Sequence, residues 1–206
     1  LDKMINIINF CIIDIGVILM DELKHELALW GESLRDFHLP RWQELPDLDL
    51  YLDQVIQLVD QYLMPVIQTE KHPLLTPAMV NNYVKKGLIP APIKKRYQRK
   101  HLAFLIAITL LKQVITIPEV KSGILFQGKV SGIREAYDLF CDEQEKSIQF
   151  IINQAQLSTM NLAIPIELDR IAVQAATRAF ANKLLAEKMI ILQEKYIFTG
   201  EEKYEQ

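Results

Sequence analysis

The chain has 206 residues, 50% of them hydrophobic and only seven of them Gly, which allows one substantial core or two small ones and argues against disorder. Its two cysteines, Cys11 and Cys141, are too few for a disulfide framework or a cysteine zinc site, and read as buried thiols of a reducing cytoplasm. The net charge of -3 conceals a polarised chain: residues 1–70 carry four Lys and Arg against 13 Asp and Glu, residues 71–118 nine against none, and residues 119–206 ten against 13.

The N-terminal stretch "LDKMINIINFCIIDIGVILM" is apolar but contains Asp2 and Asp14, barely reaches the length of a membrane span, and lacks the cleavage region of a signal peptide. Residues 1–19 are read as an upstream extension, with Met20 opening the functional chain and no membrane segment expected. A first helix over 20–37 follows from the spacing of Leu23, Leu27, Trp30 and Leu34. Pro40 and Pro46 end that pattern, and Asp47 or Asp49 can cap a second helix with the stripe Leu52, Val55, Ile56, Val59 and Leu63.

Thr76-Pro77 has the form of an N-cap followed by proline at the first helical position. A third helix over 78–86, ended by Gly87, is expected from it. Pro90 and Pro92 exclude helix from "LIPAPIKKRYQ", which reads as an extended loop or short β-hairpin. An apolar helix over 99–114, a turn with a short helix around Pro118, and two long helices over 132–157 and 165–198 complete the chain.

The stretch from Leu74 to Leu105 has seven Lys and Arg and no carboxylate. On the third helix Met79, Val80, Tyr83 and Val84 supply a stripe to bury, leaving Asn81, Asn82, Lys85 and Lys86 on the other side. Asparagine can read an adenine edge through paired hydrogen bonds, and lysine can reach guanine acceptors or phosphates. The loop that follows carries Lys94, Lys95 and Arg96, with Tyr97, Arg99 and Lys100 next to it. Tyr83 and Tyr97 read first as packing residues, with the Tyr97 hydroxyl able to reach a phosphate. A helix for the major groove and a basic loop for the backbone are the parts of a winged helix-turn-helix.

These residues also carry a resemblance. "TPAMVNNYVKKGLIP" with Tyr83, Gly87 and Leu88, then Lys95-Arg96-Tyr97, then Leu102, Leu105 and Ile108, then Thr116 to Val120, resembles the DNA-binding region of MerR-type regulators. The span from "LPRWQELPDLDLYLDQVI" to "IPEV" is similar to domain-of-unknown-function family 1836, whose bacterial members are described as MerR-like regulators. The resemblance implies a mainly α protein, with a MerR-like winged helix-turn-helix, a small β-wing and a C-terminal helical region. It implies double-stranded DNA as partner. Asn81 and Val84 stand where MerR proteins usually have Arg and Glu, so no base preference carries over, and the metal-sensing cysteines are missing.

A division into 20–125, the DNA-binding region, and 126–206, a helical dimerisation or effector region, is expected, with a homodimer formed through the long Ala-rich last helix. No GxSxG, P-loop or GxGxxG is present, and His25, His38, His72 and His101 form no HExxH pair, so neither an enzyme nor a metal or other cofactor is expected. The competing function is a protein-interaction module whose basic face docks an acidic partner, or the acidic N-terminal half of this chain.

Overall fold

The apolar spacing from Leu23 to Leu34 does wind into a helix: in the computed structural model residues 19–33 form α1. Residues 19–67, 73–157 and 168–201 are described by the structure. The expectation for the N-terminal extension therefore falls, but for Leu19, outside the described residues, as does Cys11. Gly31 lets α1 approach a later helix closely, because a Cβ there would stand 2.9 Å from the Ala155 Cβ. Leu27 packs against Ala155 and Leu192 beside that crossing, and Lys195 pairs with Glu26.

Between α1 and the next helix the chain is irregular but tied down. Leu39, Leu45 and Leu50 are buried. Arg41 Nη1 and Nη2 donate to Glu145 Oε1 and Oε2 at 2.7 and 2.6 Å, and the Leu39 amide donates to Glu145 Oε1 at 2.8 Å. The Trp42 amide donates to Asp138, and the Tyr137 hydroxyl to the Pro40 carbonyl. Burial raises the Glu145 carboxyl, but the Arg41 guanidinium, the Leu39 amide and His38 together hold it below its ordinary range.

Helix α2, Leu52–Leu63, buries Val55, Val59 and Leu63. Helix α3, Pro77–Lys85, starts as its sequence predicts, with Thr76 Oγ1 accepting from the Met79 amide at 3.2 Å. It stops at Gly87, whose φ of +63° is the left-handed conformation glycine adopts freely; the Gly87 and Leu88 amides turn back to Val84 and Tyr83. Helix α4, Arg99–Leu111, buries ten of its 13 residues and is the central element.

Helices α5, Ile117–Ser131, α6, Ile133–Ala155, and α7, Ile171–Glu201, complete seven helices among the described residues. The short helix expected near Pro118 runs to 15 residues. Thr116 and Glu119 cap its start, Gly123 and Gly128 do not stop it, and Gly132 at φ +86° does. The boundary expected between 125 and 126 thus lies inside an unbroken helix, and one buried cluster runs from Leu34 to Ala181 across it.

The protein is mainly α, and the β-wing is not formed as strands. Among the described residues only two isolated antiparallel bridges occur, Leu50 with Tyr97 and Ile93 with Arg96. Pro90 and Pro92 lack the amide protons a ladder needs, so only one facing pair closes before the turn. The Ala-rich segment of α7 buries Ala176, Phe180 and Ala181 in the chain's own core. No helix of the described residues is long and apolar enough to cross a membrane. Cys141 is buried and its thiol pushed up to about 12, mainly by burial.

Candidate nucleic-acid interface

Helix α3 is two-sided because Val80 and Tyr83 are drawn into the core while the positions between and after them are not. Asn81, Asn82, Lys85 and Lys86 are all exposed. The cations gather at the helix C-terminus, where the macrodipole favours them. Lys121 of α5 joins them, its Nζ donating to the Lys86 carbonyl at 2.7 Å. Nothing in the sequence marked Lys121, which lies beyond the carboxylate-free stretch and meets α3 only through the fold.

The basic turn is held from below. Leu50 and Tyr97 exchange both backbone hydrogen bonds at 2.8 Å, clipping the start of α2 to the start of α4. Ile93 and Arg96 exchange theirs at 3.1 and 2.8 Å, leaving Lys94 and Lys95 alone at the tip. Both adopt positive φ, +48° and +64°, and both are exposed. Such a two-residue turn favours Asn-Gly, since a side chain with Cβ costs roughly 1–2 kcal/mol per residue there. Two lysines at these positions are a local strain that turn chemistry does not account for.

The remaining candidates are more tightly bound into the fold. The Arg96 guanidinium lies 3.5 Å over the Tyr51 ring. Tyr97 is 4% exposed, its ring edge against His101, so packing is the role the structure assigns it. Arg99, 18% exposed, donates from Nε to the Leu45 carbonyl and lies 3.5 Å from Asp47. Lys100 is half-buried beside a hollow shared with Trp42, Asp47, Asp49 and Arg99. The set clear of structural contacts is therefore Asn81, Asn82, Lys85, Lys86, Lys94 and Lys95. Lys112, also from the basic stretch, donates to the Leu74 carbonyl, and burial lowers its pKa.

His101 anchors α4 beneath this turn. It is fully buried, and its Nδ1 accepts from the Gln98 amide at 2.8 Å, so the ring proton is on Nε2. Nε2 lies against the Pro90 and Ala91 backbone without a hydrogen bond of good geometry. Burial foremost, with Lys100 adding to it, lowers the His101 pKa below its ordinary value. The unfolded chain thus takes up a proton below about pH 6.5 that the folded chain resists, and stability falls as the pH drops through that value. Gln54 and Glu119 make the corresponding side-chain cap on α2 and α5. His101→Gln is expected to keep the cap and flatten the pH dependence of the melting temperature between pH 7 and 5.5; an unchanged profile would exclude His101 as its source.

Among the described residues no group of three His, Cys, Asp or Glu could hold a metal ion. No curated protein and no solved structure matches the chain. A family model does match, that of a domain of unknown function, DUF1836, over residues 40–140. That span runs from the Arg41 anchor through α3, the basic turn and α4 into the first turns of α6. Residues 40–140 of this chain are thus similar to a domain of unknown function, DUF1836.

Proposed function

We propose that the protein is a DNA-binding transcriptional regulator of the MerR-like winged-helix type, acting as a homodimer on double-stranded DNA. The observation that carries this reading is the pairing of a helix exposing Asn81, Asn82, Lys85 and Lys86 with a strained turn exposing Lys94 and Lys95. Helix α3 enters the major groove, where Asn81 and Asn82 meet base edges and Lys85 and Lys86 meet bases or flanking phosphates. The turn serves as the wing and grips the backbone through Lys94 and Lys95, with Arg96 and Lys100 at its edge. One such unit covers a single half-site, and a two-fold dimer matches an inverted repeat.

The test is selection from fragmented genomic DNA at near-physiological salt with excess nonspecific competitor. One enriched inverted repeat is the expected result, and recovery of nothing above background would sink the reading. Asn81→Ala is expected to relax base preference by about 1–3 kcal/mol at one position, whereas Lys86→Ala at a phosphate contact would weaken all sequences alike. Equal loss across every sequence for Asn81→Ala would remove its role. The protein-docking alternative has one observation of its own: Arg99 already lies against the carboxylate of Asp47. Binding to an acidic protein with no sequence preference among duplexes would favour it.

A further inference from the structure

Helix α5 stands over a hollow. Of its 15 residues only Val120 and Gln127 are buried, and a cavity of about 1200 Å³ lies between it and α4, α6 and α7. Much of the lining is small and apolar, including Ala103 and Ala107 of α4, Ala136 of α6, and Ala175 and Ala179 of α7. Gly123 and Gly128 also line it, and a Cβ added to either would meet nothing within 4 Å. Small-molecule sites commonly occupy roughly 300–1,000 Å³ and are mostly apolar with a few placed polar groups. This one has room for a long or bulky apolar molecule.

The charges at its border choose the headgroup. Glu119, Lys121 and Lys129 are the charged lining residues. The Glu119 carboxylate already accepts from the Thr116 amide and hydroxyl. Lys121 donates to a backbone carbonyl, and no carboxylate among the described residues pairs with it or with Lys129. We propose that this cavity binds an anionic amphiphile, in the simplest case a long-chain carboxylate, with its hydrocarbon over the alanines and its headgroup on Lys121 and Lys129. Val84, Gly87 and Leu88 at the end of α3 line the same space. A headgroup that draws Lys121 off the Lys86 carbonyl uncaps α3, so ligand and DNA affinity are coupled; that clause alone rests on the DNA-binding reading.

The full chain is titrated with cis-parinarate, a fluorescent long-chain carboxylate, and the probe is competed with palmitate and with hexadecanol. Saturable one-to-one binding is expected, with palmitate the better competitor. Gly128→Leu fills the cavity and remains folded, since leucine propagates a helix better than glycine, and it abolishes binding. Lys121→Met weakens palmitate roughly tenfold, as expected when a hydrogen bond to a charged group is lost, and leaves hexadecanol unchanged. No saturable binding, or wild-type affinity in a folded Gly128→Leu, overturns the site. So does a dimer that Gly128→Leu dissociates without any probe binding, because a second copy then fills the hollow. Probe binding that leaves DNA affinity unchanged overturns the coupling. Probe binding by a chain that fails to bind DNA refutes the proposed function and leaves the site standing.

Discussion

Replacing Lys94 and Lys95 together by Asn and Gly is expected to make the protein more stable and a weaker DNA binder. Both lysines hold positive φ in a two-residue turn, and the new pair is the one such a turn prefers. Relief of left-handed strain, less the entropy a glycine loses on folding, leaves a gain of roughly 1 kcal/mol. On the proposed DNA-binding reading, two phosphate contacts go with the charges. At about 0.9 per contact the slope of log affinity against log salt falls by about 1.8, which corresponds to about 30-fold in affinity at 0.15 M salt referred to 1 M. Thermal melting and a salt series on one duplex read both quantities. A variant that is stabilised but binds DNA with an unchanged slope would detach the turn from nucleic acid. One that is destabilised would show that the lysines are held by contacts other than the turn itself.

Arg41→Ala is expected to produce the largest stability loss. The guanidinium is a fork across both Glu145 oxygens, reaches Asp142 at 2.8 Å and donates to the Leu39 carbonyl. Its side chain is 26% exposed and that of Glu145 24%, so solvent screens the pair in part. Removing one member of a fully buried pair costs about 3–5 kcal/mol, and roughly 2–3 kcal/mol is expected here after discounting for that exposure. At about 2–4 °C per kcal/mol for a chain of this size, the melting temperature falls by roughly 5–10 °C. Arg41→Lys recovers only part of the loss, because an ammonium cannot engage both oxygens in the same plane. The Glu145 carboxyl is held below its ordinary range, so its contribution is fully present above the unfolded pKa, about 4.3, and fades as the pH falls through the lowered value. A loss under about 0.5 kcal/mol, within the range of an ordinary surface change, would mean the fork is ornamental.

Much of this was readable from residue order. Thr76-Pro77 and Gly87 bound α3 in the structure as they do in the sequence, because both signals act within one turn of backbone. The stripes Val55, Val59 and Leu63, and Val80 and Tyr83, are buried as their spacing predicts. The length of α5 was not legible, since Gly123 and Gly128 look like breakers until the helix is seen running through them over open space. Tyr97 packs as its first reading has it, but Arg99 reads as a phosphate contact because composition counts charges without showing what each already touches. Leu45 and Asp47, brought in by the fold, occupy it. Lys121 and the Arg41–Glu145 pair depend on contacts 35 and 104 residues apart, beyond any local pattern.

That last separation bears on how the chain is made. Glu145 leaves the ribosome 104 residues after Arg41, a wait of roughly 5–20 s at about 5–20 residues per second. Through that interval α2, α3 and α4 can wind, but the Leu39 amide, the Arg41 fork and the Pro40 carbonyl have none of their α6 partners, Glu145, Asp142 and Tyr137. The face of α4 that packs on α6 is uncovered from the time α4 is made until α6 follows it. Synthesis that pauses just before α6 therefore holds the nascent chain in its most aggregation-prone form, and synthesis through Glu145 ends it.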